Sequence, residues 1–358
     1  MRPNRARQLA AVLLITSLTT ACAVDSPPAD RAEEVAPISA GCGTAPPVPP
    51  GESAAFAMRV GELEREYLLH LPPDYDAGRA TALVLDFHGY TGRAAGEEAY
   101  TGLSQQADEH GYAVVYPQGS GFEDDDGQLI TSWNDLAGSA SSGPQGPICS
   151  ETADYYAFPP ECGEPTPCVW ATCHDDLGFI ERLLDRLETD LCVDLDRVYA
   201  TGMSNGGMFV HRLGCDMPQR FAAIAPVGGT LARGFACAPD LPLAMMNIYG
   251  SRDGYVSQRG DMSSDGYYYE SAEVVLDKWA GLGAQGCDAA TTAYETSRDG
   301  ALGLACVQHD NCASGAEVVH CTWDGAHDWP QAEGERVGNE VIWEFFSKHT
   351  RASYRTAD

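Results

Sequence analysis

Three residues of this chain carry the side chains that acyl transfer needs, each just past an apolar run that reads as a strand. Ser204 lies in Gly202-Met203-Ser204-Asn205-Gly206, Asp253 ends Tyr249-Gly250-Ser251-Arg252-Asp253, and His327 lies in Asp324-Gly325-Ala326-His327-Asp328-Trp329-Pro330. A serine hydroxyl is a poor nucleophile until a base takes its proton. Imidazole titrates near neutrality, so it can accept that proton and later return it to a leaving alcohol. A carboxylate on the far ring nitrogen fixes the tautomer and stabilises the imidazolium. Asp253 is the expected carboxylate, with Asp324 and Asp328 as rivals.

The oxyanion of a tetrahedral intermediate needs two fixed donors. The backbone N–H of Asn205, directly after the serine, is one expected donor. The turn after His88-Gly89 offers the other, the N–H of Tyr90. His88 itself reads as a residue that organises this turn. The glycines around Ser204 suit a tight strand-to-helix turn. Trp133, Trp329 and the run Tyr267-Tyr268-Tyr269 are candidates for stacking on an aromatic or sugar substrate. Nothing in the chain calls for a cofactor or a metal. His174 reads as part of a helix start. Cys149, Cys162, Cys168 and Cys173 lack paired C-x-x-C spacing, so they read as disulfide partners rather than zinc ligands.

These residues need a frame that brings strand ends together. Apolar runs at 67–72, 82–87, 112–117, 196–201, 221–227, 243–249 and 317–323 read as strands. Helical spacing covers about 97–110, 175–188, 207–213, 274–279 and 341–348. Alternation of the two predicts an α/β fold: a mainly parallel central sheet with helices on both faces and functional groups at the carboxyl ends of the strands. Residues 120–173, rich in Gly, Pro and Cys, read as a long disulfide-stapled insertion that could form a lid or a substrate groove.

The 358 residues suit one large domain, and a formal charge of −30 argues against nucleic acid and anionic membrane surfaces as partners. Arg2, Arg5 and Arg7 precede the short apolar run 9–18, so residues 1–22 read as an export signal. Acylation at Cys22 and ordinary cleavage near Ala21 or Ala23 both fit, so the expected location is extracellular or lipid-anchored at the cell envelope. Residues 23–53, rich in Pro, Ala and acid, read as a disordered tether, and 54–358 as the folded domain. Of 13 cysteines, setting Cys22 aside leaves 12, enough for six disulfides in an oxidising compartment.

Phe87-His88-Gly89-Tyr90, Val115-Tyr116-Pro117-Gln118-Gly119, the stretch from Arg197 to Phe209, and Ala326-His327-Asp328-Trp329-Pro330 resemble secreted esterases that group type C feruloyl esterases with polyhydroxybutyrate depolymerases. The similarity spans about residues 60 to 350 and is closer to the feruloyl esterases. It implies an α/β-hydrolase fold, a nucleophile at Ser204, a base at His327 and, through Gly250-Ser251-Arg252-Asp253, an acid at Asp253. Two departures stand out. Ser257-Gln258-Arg259-Gly260 replaces the family's usual Pro-Tyr and Gly-Gly, and the insertion is longer than expected. The reading is an exported serine carboxylesterase that releases hydroxycinnamic acids from plant cell-wall polysaccharide through an acyl-enzyme. A polyhydroxybutyrate depolymerase and a catalytically idle, lipid-anchored carbohydrate-binding protein are the alternatives.

Overall fold

A computed structural model describes residues 37–154, 156–164, 166–282 and 284–355. The proposed export signal with Cys22, and the tether up to residue 36, lie outside these residues. Ten strands form the central sheet: β1 (Ser53–Val60), β2 (Leu63–His70), β3 (Thr81–Phe87), β4 (Ala113–Pro117), β5 (Val193–Met203), β6 (Ala223–Val227), β7 (Ala244–Gly250), β8 (Thr291–Tyr294), β9 (Ala305–His309) and β10 (Val318–Trp323). Their spatial order is β1-β2-β4-β3-β5-β6-β7-β10-β9-β8. The run from β4 to β10 is parallel, and each end is closed by antiparallel strands. This is the expected mostly parallel α/β sheet.

The helices are α1 (Ala94–Thr101), α2 (Leu103–His110), α3 (Asp176–Asp190), α4 (Asn205–Asp216), α5 (Ala272–Leu282), α6 (Val337–Lys348) and α7 (Arg351–Arg355). Successive strand side chains point to opposite faces, so a continuous apolar strand serves two cores. In β3, Leu83 and Leu85 pack with α3, α4 and α5, while Ala82 and Val84 pack with α1, α2 and α6. Each fully buried leucine stabilises the fold by about 1.5–3 kcal/mol relative to an exposed one. The single helix expected over 97–110 is two, because Gly102 adopts a left-handed φ of 65° and ends α1.

Residues 37–53 are not a disordered tether. Ser39 N–H donates to Val193 O at 3.0 Å, Leu195 N–H donates to Pro37 O at 2.9 Å, and Cys42 is bonded to Cys192. A Pro- and Ala-rich stretch has no periodicity to betray such docking. The strand expected at 67–72 is the second in the sheet and not its edge, because the 53–60 segment pairs outside it.

The twelve cysteines after Cys22 form six disulfides: 42–192, 149–168, 162–173, 215–237, 287–312 and 306–321. Such a set belongs in an oxidising compartment. The insertion holds a hairpin (Ser120–Glu123 with Leu129–Ser132), and two of the six cystines staple the irregular chain beyond it. Among the described residues, no helix is long and apolar enough to cross a membrane.

Candidate active site

Ser204 sits on the turn between β5 and α4 with φ 57° and ψ −121°, a conformation rare for a residue with a side chain. Such strain costs of order 1–3 kcal/mol and persists only where the surroundings over-determine it. Here the surroundings are backbone. Ser204 N–H donates to Val227 O at 2.9 Å. A Cβ at Gly206 would lie 2.0 Å from Phe87 O, and one at Gly202 would lie 2.6 Å from the same atom. Only glycine lets β3 and the turn approach this closely, which is what lifts the hydroxyl above the sheet.

His327 and Asp253 come from loops after β10 and β7. His327 Nε2 lies 2.8 Å from Ser204 Oγ, and His327 Nδ1 lies 2.7 Å from Asp253 Oδ2. The Asp253 side chain is 1% exposed and that of His327 is 19% exposed. The other Asp253 oxygen accepts the backbone N–H groups of Tyr255 (2.9 Å) and Val256 (2.8 Å). These bonds lock the carboxylate toward the ring. The two rival carboxylates are engaged elsewhere. Asp324 pairs with Arg252 and with Ser251 Oγ, and Asp328 accepts the Tyr100 hydroxyl and the Trp329 N–H.

The loop facing Ser204 is held by His88, which is fully buried. Its Nδ1 donates to Gly89 O at 2.7 Å, and its Nε2 accepts Gly119 N–H at 2.9 Å. This pattern requires a neutral ring. Burial depresses its pKa to about 4 and so keeps it neutral. His88 thus shapes the Gly89-Tyr90 turn, as the sequence suggested. Asn205 opens α4, where a first-turn N–H has no acceptor within the helix. Its side chain is fully buried and bonds the insertion: Trp133 N–H donates to Asn205 Oδ1 (2.7 Å) and Asn205 Nδ2 donates to Trp133 O (3.1 Å).

Trp133 and Trp329, expected to stack on a substrate, lie inside the core instead. Both are 0% exposed and neither can meet a substrate. Trp133 donates its indole N–H to His88 O at 3.0 Å and stacks on Phe209, with centroids 5.2 Å apart. Trp329 donates to Asn339 Oδ1 at 2.7 Å. They brace the loop after β3 and the His327 loop from behind.

A cavity of about 180 Å³ opens at Ser204 and His327. Its walls are aromatic: Tyr90 after β3, Tyr156 and Trp170 from the insertion, and Tyr255, Tyr267 and Tyr269 from the stretch after Asp253. Tyr90 meets Tyr156 and Trp170 edge-on, at 5.6 and 5.5 Å between centroids. Tyr156, Trp170 and Asp265 were not singled out in the sequence. Aromatic residues in a Cys- and Pro-rich loop carry no periodic signal. The insertion and the 263–270 stretch are zipped together by backbone bonds, including Ser150 N to Gly266 O and Tyr268 N to Ile148 O, both 2.8 Å.

The geometry can be set beside known proteins. No family model matches the chain. Over 256 residues it is 31% identical to the putative esterase NocK of Nocardia uniformis subsp. tsuyamanensis, covering 66% of this chain and 63% of that protein. It is 24% identical over 289 residues to feruloyl esterase B of Piromyces equi, covering 78% of this chain and 44% of that one. A probable feruloyl esterase C of Aspergillus niger is 24% identical over 303 residues, covering 83% and 89%. The chain therefore spans less than two thirds of the length of the first two relatives. Among solved structures, acetyl xylan esterase from Aspergillus awamori superposes with a TM-score of 0.50 at 14% identity, covering 82% of this chain and 99% of that one. Native sOPH superposes with a TM-score of 0.52 at 13% identity, covering 88% and 92%. These two likenesses establish the fold.

Proposed function

We propose that this chain, a distant homologue of the feruloyl esterases and of the esterase NocK with an α/β-hydrolase fold, is an exported serine carboxylesterase acting on hydroxycinnamoyl esters. One observation carries the reading: Ser204, His327 and Asp253 form a continuous hydrogen-bonded line that ends in an aromatic-walled cavity. An apolar cavity of about 150 Å³ takes one benzene ring, so this one has room for a single-ring acyl group. The six disulfides support export.

In this reading Ser204 Oγ attacks the ester carbonyl carbon while His327 Nε2 takes its proton. Asp253 holds the Nδ1–H tautomer and offsets the charge that forms on the ring. The carbonyl oxygen becomes an oxyanion facing the N–H groups of Asn205 and Tyr90. Collapse expels the alcohol, which takes the proton from His327, and leaves an acyl group on Ser204. A water activated by the same ring then attacks the acyl carbon. Release of the carboxylic acid restores the hydroxyl. The aromatic walls favour this substrate class over a polyhydroxybutyrate, whose acyl units hold no ring to stack.

The test compares methyl ferulate, a 3-hydroxybutyrate oligomer and p-nitrophenyl acetate as substrates for the purified protein and for Ser204→Ala. Hydrolysis of methyl ferulate by the wild type and its loss in the variant is the expected result. A wild type that hydrolyses none of the three overturns the esterase reading. A faster reaction with the oligomer than with methyl ferulate replaces the substrate class.

A further inference from the structure

Three of the five phenols that line the cavity donate to protein acceptors: Tyr90 to Ala157 O (3.1 Å), Tyr267 to Asp154 O (3.2 Å) and Tyr156 to Asp265 Oδ2 (2.6 Å). None of the residues lining the cavity is lysine or arginine. Asp265 is the one carboxylate among these lining residues. Its oxygens accept from Tyr156 Oη and Ser263 Oγ. A carboxylate offers about four lone-pair sites, so two donors leave acceptor capacity. Tyr156 comes from the insertion and fixes the carboxylate from one side. The bond from Asp154 N to Asp265 O, 2.8 Å, ties the backbone of the same two loops.

We infer that Asp265, oriented by Tyr156 and Ser263, is a specificity-determining residue that accepts a hydrogen bond from a free phenolic hydroxyl on the acyl ring. The inference rests on the esterase reading and narrows it. The preferred acyl groups carry a hydroxyl donor on the ring, and fully O-methylated rings are selected against. The physical reason is asymmetric. An acyl ring without a donor leaves a carboxylate desolvated against aromatic walls with no replacement for water, whereas a hydroxyl restores that bond.

The experiment measures kcat/KM for methyl ferulate and for methyl 3,4-dimethoxycinnamate, which differ by one O-methyl group. The wild type is expected to favour methyl ferulate by about tenfold or more. Asp265→Asn, which keeps the shape but weakens the acceptor, should cut that preference several-fold, mostly through KM. Equal kcat/KM values for the two esters in the wild type overturn the inference, whatever the variant does. So does a preference that Asp265→Asn leaves unchanged. Binding of the same two esters to Ser204→Ala by calorimetry gives a readout independent of turnover. Tighter binding of methyl ferulate supports the inference even if no ester is hydrolysed, and equal binding overturns it. Loss of hydrolysis alone counts against the esterase reading.

Discussion

The reacting groups and the pocket walls are built in opposite ways. Ser204, Asp253 and His327 follow three neighbouring regions of the sheet, after β5, β7 and β10, and their positions are set by backbone contacts. The walls come from chain with little regular structure: Tyr156 and Trp170 in the insertion, Tyr267 and Tyr269 beyond Asp253. There, cystines and cross-loop bonds, rather than strands and helices, hold the chain against the main apolar core. The contrast teaches that one scaffold can hold a reaction fixed while the choice of substrate varies with the loops.

If that division holds, substitutions should separate into those that stop the reaction and those that change its preference. Ser204→Ala should lower kcat by about 10⁶-fold, leaving only the contribution of binding and oxyanion donors. A loss under tenfold on p-nitrophenyl acetate would place the nucleophile elsewhere. Asp253→Asn should cost about 10⁴-fold in kcat with little change in KM, because the ring then holds the wrong tautomer. A comparable loss from Asp324→Asn, with Asp253→Asn mild, would break the assignment.

On the wall side, Cys149→Ser with Cys168→Ser should act mainly on KM for aromatic esters, raising it about tenfold, roughly 1.4 kcal/mol of binding. It should also cost about 3 kcal/mol of stability, the scale for closing a loop of this length. If kcat on p-nitrophenyl acetate falls as far as on methyl ferulate, the two regions are not separable. The smallest effect concerns acid. Burial lowers both His88 and His211 to about 4, from an ordinary value of 6.5. Between those values the unfolded chain binds protons that the native state refuses. Stability is therefore expected to fall as pH drops from about 6.5 toward 4. Urea unfolding at pH 7 and pH 5 measures this. His211→Gln should flatten the slope by about one proton, and an unchanged slope would remove that residue from the account.

The same division governed what could be read in advance. Ser204, Asp253 and His327 stood out because apolar runs end just before them and because their residue types suit one reaction. The central strands were legible from their unbroken apolar text. β1, β8 and β9 were not, since SAAFAMRV, TTAY and ACVQH are short or mixed segments whose strand state depends on a neighbour. Trp133 and Trp329 misled because exposure is a property of packing. An indole beside a candidate histidine looks the same in sequence whether it faces solvent or braces the loop from behind. Trp170 and Tyr156 were invisible for the converse reason: their proximity to Ser204 is created by the disulfides and by the paired loops.

The bond between Cys42 and Cys192 spans 150 residues and joins the chain ahead of β1 to the residue just before β5. It also sets a mechanical path. A pull on residues ahead of Cys42 bypasses the edge pair β1–β2, which would otherwise unzip one hydrogen bond at a time. The load arrives at the root of the strand that carries Ser204, in the middle of the sheet, where neighbours on both sides must shear together before anything moves. A protease cut between Gly43 and Glu52 would leave the two pieces covalently joined. The exposed edge is thereby relieved of tension, and an interior strand paired on both sides bears it.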